Sequence, residues 1–159
     1  MGSAIGKVFL KILEQRMRVV VEREGWLGET QCGFRKGCST EDHLFTLMGP
    51  MEMVKKKRRR LWMVFVDLRK AYDRVWRGRI WECLQQRGFG GKLIRILQTI
   101  YDNQRRKVRV EGGFTEWIRC EVGLKQGCIL SPLLFAIFVA DLQERWAQTR
   151  RGVLIGGKG

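Results

Sequence analysis

The sequence predicts an α+β fold in which helices pack on a small, mainly antiparallel sheet. Three observations predict it: stretches with apolar residues at three- and four-residue steps, an unbroken apolar run of strand length at Leu61–Val66, and two extended segments flanking Glu111-Gly112-Gly113. Ile5, Val8, Phe9, Ile12, Leu13, Met17, Val20 and Val21 repeat with helical spacing, and Gly25 is positioned to stop that helix. Residues 26–37 carry three glycines and no periodicity, which reads as loop. Ser39 or Thr40 caps a second helix with Glu41 and Asp42 in its first turn, where the positive end of the helix dipole favours anions. Leu44, Leu47, Met51 and Val54 form its apolar face, and Gly49-Pro50 is expected to kink it, because proline lacks an N–H and its ring collides with the carbonyl of Thr46.

Leu61–Val66 ends at Asp67 and has the composition of a strand buried on both faces. Helices are expected over Arg79–Arg87 and Lys92–Asn103, then a hairpin pairing Arg105–Val110 with Phe114–Val122. Ser131-Pro132 signals the start of a long helix reaching about Thr149, and Val153–Ile155 suggests one more short strand.

Composition narrows the function. Across 159 residues, 31 Lys and Arg against 16 Asp and Glu give a net charge of +15, and 45% of residues are hydrophobic, so the chain can build a core and points to a polyanionic partner. One histidine, His43, leaves little room for Ser-His-Asp chemistry or a histidine-rich zinc site. Five cysteines, odd in number and without a CxxC pair, fit a reducing compartment rather than a disulfide framework. No apolar run reaches membrane-spanning length and no signal peptide is legible, so the sequence reads as soluble and intracellular, nuclear or cytoplasmic.

Three segments carry candidate chemistry. Asp67 is a carboxylate at the end of an apolar strand, either facing a cleft or capping the turn that follows; Asp73 reads as a cap for the next helix. Residues 123–132, with Gly123 and Gly127 bracketing Lys125-Gln126 before a helix start, would let the backbone approach a nucleotide or base pair closely. Residues 31–40 are basic and glycine-rich before another helix start, and a solvated turn is the alternative there.

Together QCGFRKGCST, VFVDLRKAYDRV and GLKQGCILSPLLFAIF resemble, in order and spacing, three consecutive motifs of reverse transcriptases of the non-LTR (LINE-like) retrotransposon and group II intron type. IGKVFLKILEQRM resembles the helix that precedes them, so the likeness covers nearly the whole chain. It implies a partial right-hand polymerase: a fingers-like helical segment with a basic loop over 1–60 and part of a palm over 61–159, with no thumb. It also implies an RNA template, a DNA primer and a dNTP as partners, no membrane, and Mg²⁺ as cofactor. By the same likeness, Asp67 is the first catalytic and metal carboxylate and the backbone carbonyl of Leu68 a second ligand. Tyr72 is the aromatic that excludes a 2′-hydroxyl, Arg35 contacts the triphosphate, Gln126 lines the nucleotide pocket, and Gly127 passes close to the primer–template.

The sequence departs from the family in one respect: it contains no Asp-Asp dipeptide, whereas the family's next motif supplies its remaining carboxylates from one. Two divalent ions about 4 Å apart need several carboxylates to offset their repulsion. The expectation is therefore a fragment of an RNA-directed DNA polymerase, inactive alone, or alternatively a non-catalytic basic RNA- or DNA-binding module or a decayed retroelement product. Without partner strands, Leu61–Val66 would be an exposed apolar edge through which chains self-associate. Lys55, Lys56, Lys57, Arg58, Arg59 and Arg60 read as a solvated turn, a phosphate contact or a nuclear-localisation patch, and Lys36 and Lys125 as further weak nucleic-acid contacts.

Overall fold

In the computed structural model, residues 4–28, 31–35 and 37–148 are described. Five helices form in the order expected: α1 (Ala4–Arg23), α2 (Thr40–Lys56), α3 (Arg77–Gln86), α4 (Gly91–Asp102) and α5 (Ser131–Gln148). Between α4 and α5 lie four two-residue strands, β1 (Arg105–Arg106), β2 (Arg109–Val110), β3 (Gly113–Phe114) and β4 (Ile118–Arg119).

The core is helical. Ile80, Cys83 and Leu84 of α3, Leu97 and Tyr101 of α4, and Leu133, Leu134 and Ile137 of α5 are buried against one another, with Met17 and Val21 of α1 completing the cluster. An edge-on contact between Trp26 and Phe89, with ring centroids 5.2 Å apart, joins the end of α1 to the α3–α4 turn. The inner half of the α1 apolar stripe is buried, whereas Ile5, Val8, Phe9 and Ile12 remain exposed.

α2 is capped as its sequence requires. The Ser39 hydroxyl accepts from the Asp42 amide, and the Asp42 carboxylate accepts from the Ser39 amide at 2.7 Å, a reciprocal capping box. Hydrogen bonds donated to the Asp42 carboxylate by the Ser39 amide and by the Ser39 hydroxyl hold it below its ordinary value. The helix continues through Pro50, and none of its residues is buried. At α5 the cap differs from expectation. The Leu134 amide bonds to the Leu130 carbonyl, so Leu130 occupies the cap position and Ser131 is already helical.

The largest correction concerns Leu61–Val66. It forms no strand, and Trp62, Val64, Phe65 and Val66 are exposed rather than buried. An extended segment gains its backbone hydrogen bonds only from a neighbouring strand, and the four strands among the described residues pair with each other instead.

The hairpin is present but offset. Arg105 pairs with Arg119 and Arg106 with Ile118, whereas Arg109 pairs with Phe114 and Val110 with Gly113, so one extra residue lies on the returning arm between the two ladders. Gly112, with φ +90°, makes the two-residue turn that closes it. The strand expected at Val153–Ile155 and the helix end at Thr149 fall outside the described residues.

Candidate nucleotide cleft

Residues 123–131 are fixed by the segment around Tyr72. The Gly123 amide donates to the Val75 carbonyl at 2.9 Å and the Leu124 amide to the Tyr72 carbonyl at 2.7 Å. The approach is close enough to exclude any side chain: a Cβ on Gly123 would lie 2.7 Å from the Asp73 carbonyl oxygen, and its φ of +84° is itself costly for other residues. On the far side the Ser131 hydroxyl donates to the Lys125 carbonyl at 2.7 Å and lies 3.1 Å from the Tyr101 hydroxyl. Ser131 and Tyr101 are both buried, and burial pushes the Tyr101 phenol well above its ordinary value, so it stays neutral.

This anchoring opens a cleft of about 450 Å³ lined by Phe34, Tyr72, Gln126, Gly127, Cys128 and Pro132, among others. Three residues singled out by resemblance, Tyr72, Gln126 and Gly127, thus line one cavity. Tyr72 is half-buried, its ring 5.0 Å from Phe135 and 6.4 Å from Phe34, and burial raises its phenol pKa. Phe34 was not singled out from sequence, and it holds a left-handed backbone (φ +60°), an uncommon conformation for a bulky residue.

Arg35 lies beside Phe34 but is engaged elsewhere. Its Nε donates to Glu22 at 2.9 Å and its Nη1 to the Gly28 carbonyl at 2.6 Å, tying this loop to the end of α1. Lys125 is exposed next to the cleft, Lys55–Arg60 is exposed throughout, and Lys36 falls outside the described residues. The run after α2 turns back on itself through a left-handed Arg58 (φ +49°), the Arg59 amide reaching the Val54 carbonyl.

Asp67 is exposed at a second cleft of about 390 Å³, lined also by Leu68, Arg69, Arg74, Phe135 and Phe138. Its charged neighbours there are arginines. Asp73 does not cap α3, whose cap position is Trp76, and lies 4.0 Å from Arg106. Asp141 is held by two hydrogen bonds from Arg79 Nη2 and a contact with Arg145. Among the described residues no three metal-binding side chains cluster. One carboxylate in a cleft whose other charged lining residues are Arg69 and Arg74 does not fit a pair of divalent cations.

Sequence reasoning missed Arg77. Buried at the start of α3, it donates to the carbonyls of Gly123 (2.7 Å), Tyr101 (2.9 Å) and Val122 (3.2 Å) and lies over the Tyr101 ring. Burial lowers its pKa, yet an arginine stays charged. It joins α3, the end of α4 and the start of the 123–131 loop through one side chain. In sequence nothing separates it from the exposed arginines around it.

Residues 2–155 match the family model described as reverse transcriptase (RNA-dependent DNA polymerase). The chain is 26% identical over 140 residues to the probable RNA-directed DNA polymerase from transposon BS of Drosophila melanogaster, which covers 88% of this chain and 15% of that protein. It is 27% identical over 145 residues to the probable RNA-directed DNA polymerase from transposon X-element of the same fly (89% and 15%). It is also 24% identical over 155 residues to the Pol polyprotein from type-1 retrotransposable element R2 of Nasonia vitripennis (98% and 15%). The chain therefore spans about 15% of the length of these relatives. No solved structure matches significantly. No helix among the described residues is long and apolar enough to cross a membrane.

Proposed function

The chain belongs to the reverse transcriptase (RNA-dependent DNA polymerase) family, and from that premise we propose that it is the fingers (1–60) and the first part of the palm (61–159) of a non-LTR retrotransposon enzyme, which binds an RNA template, a DNA primer and an incoming dNTP. The observation that carries this reading is the convergence of Tyr72, Gln126 and Gly127 on one cleft beside Phe34. Tyr72 offers a flat apolar wall against a sugar, Gln126 supplies both donor and acceptor for a base or sugar edge, and Gly127 presents bare backbone. Arg35 takes up a triphosphate in this scheme by exchanging Glu22 for phosphate oxygens. Lys125 and the Lys55–Arg60 run add positive charge along the path of the strands.

The chemistry is less complete than the pocket. The family's polymerisation uses Mg²⁺, and by resemblance Asp67 with the Leu68 carbonyl would be half of that site; the arginines lining the Asp67 cleft and the absence of a carboxylate cluster among the described residues leave the set short. The 159 residues alone accordingly bind substrates without joining them.

Template-primed dNTP incorporation tests both halves, measured with Mg²⁺ and with Mn²⁺ beside Asp67→Asn. The expected result is salt-sensitive binding of an RNA–DNA hybrid with no extension, and a gain in complex stability on adding the templated dNTP that Tyr72→Ala or Gln126→Ala removes. Extension that Asp67→Asn abolishes would refute the incomplete metal site. Failure to bind the hybrid would refute the function.

A further inference from the structure

The β1–β4 ladder sets two cations against each other. Arg105 and Arg119 are register partners in an antiparallel pair, so their side chains leave the same face of the ribbon a few ångströms apart. Like charges placed directly opposite oppose strand pairing. The repulsion is not relieved from within: among the described residues the only carboxylate within 4.0 Å of any hairpin cation is Asp73, and it meets Arg106, whose place opposite Ile118 puts it on the other face. Lys107, two residues beyond Arg105, joins the same face. Its ammonium sits 4.7 Å above the ring of Trp117, two residues before Arg119, which holds the charge at a fixed height over an exposed aromatic.

Arg105, Lys107 and Arg119 therefore form a preset cationic triangle on a solvent-facing ribbon. Arg106 on the reverse face ties that ribbon to Asp73, the residue after Tyr72 of the cleft. The triangle is separate in sequence from Lys55–Arg60 and from the cleft. We infer that this face of the hairpin is a second nucleic-acid contact, in which the phosphates of a strand lie between Arg105 and Arg119 and supply the countercharge the fold omits. The inference rests on the preceding section only in taking nucleic acid as the polyanion.

A short RNA–DNA hybrid titrated against the 159-residue chain over a range of salt provides the test. Neutralising the triangle (Arg105→Gln, Lys107→Gln, Arg119→Gln) should flatten the dependence of log K on log salt by about 2 to 3, one contact per lost charge. The charge-conserving pair Arg105→Lys and Arg119→Lys should keep the slope. Arg119→Gln alone should raise the melting temperature or leave it unchanged while weakening binding, because it removes a repulsion as well as a contact. A purely structural arginine would do the opposite. An unchanged slope in the triple variant overturns the inference, and so does an equal loss on neutralising Lys7, Arg16 and Arg23 of α1, which would reduce the effect to net charge. If the parent chain itself shows no salt-sensitive binding, the assignment of nucleic acid as partner falls first.

Discussion

The segment that carries the nucleotide-binding candidates Gln126 and Gly127 and the one that carries the candidate catalytic Asp67 are built differently. Residues 123–131 are held at every turn: backbone bonds to Tyr72 and Val75, three carbonyls around Arg77, and the buried Ser131–Tyr101 contact. Residues 61–68 have no comparable frame, and all of their apolar side chains but the half-buried Leu61 are exposed. The first segment satisfies its polar groups from helices and loops lying near it in the fold. The second is of a kind that does so only beside other strands. Local order in this chain thus follows the availability of hydrogen-bond partners more closely than apolar composition.

The sharpest way to break the contrast is to loosen the ordered segment. Arg77→Met removes a buried charged donor from three carbonyls and should cost about 3 kcal/mol, read from the urea unfolding midpoint. It should also weaken the dNTP effect in the binding assay, since Gly123 loses its clamp. Gly123→Ala, which drives a methyl group into the Asp73 carbonyl at an unfavourable φ, should cost about 2 kcal/mol by the same measure.

A smaller effect tests whether α1 belongs to the ordered part. Glu14 is buried on α1, where desolvation pushes its pKa up, but hydrogen bonds from Arg18 (2.5 Å) and Lys11 (3.2 Å) outweigh that and leave it below its ordinary value. A depressed carboxylate stabilises the fold above its ordinary pKa, and that contribution is lost as pH falls through the folded value. Glu14→Gln should therefore lower the unfolding midpoint at pH 7, by about 1 kcal/mol. The gap to the parent should narrow as the pH is lowered below the ordinary carboxylate range.

At the exposed extreme, Val64→Ser with Phe65→Ser should move stability by less than about 0.5 kcal/mol, because neither side chain is buried. The same pair should shift sedimentation toward monomer if the apolar run mediates self-association. An unchanged distribution would acquit the segment.

What the sequence disclosed follows the same division. The helices were legible because apolar spacing and caps are local signals, and Ser39, one of the two residues expected to cap α2, does so in a capping box with Asp42. The state of Leu61–Val66 was not legible, because a strand is defined by its neighbour and composition says nothing about whether one is present. In the cleft, the glycines around Lys125-Gln126 marked the loop before any resemblance, but Tyr72 and the separate roles of Gln126 and Gly127 came from the resemblance; spacing alone could not place residue 72 beside residue 126. Arg77 and Phe34 left no mark in sequence that distinguishes a buried guanidinium or a cleft-lining ring from their solvated counterparts.

The lack of any buried residue on α2 has a consequence for how the molecule comes apart. A helix held mainly by its own caps opens with little help from the rest of the fold, and it runs into six consecutive basic residues, Lys55–Arg60, the last four of which lie past the helix on an exposed turn. Trypsin should find that turn long before it reaches Arg77, whose guanidinium is sealed between helices. Brief digestion should therefore nick the chain between α2 and the Asp67 segment before it cuts within α3, α4 or the buried half of α5.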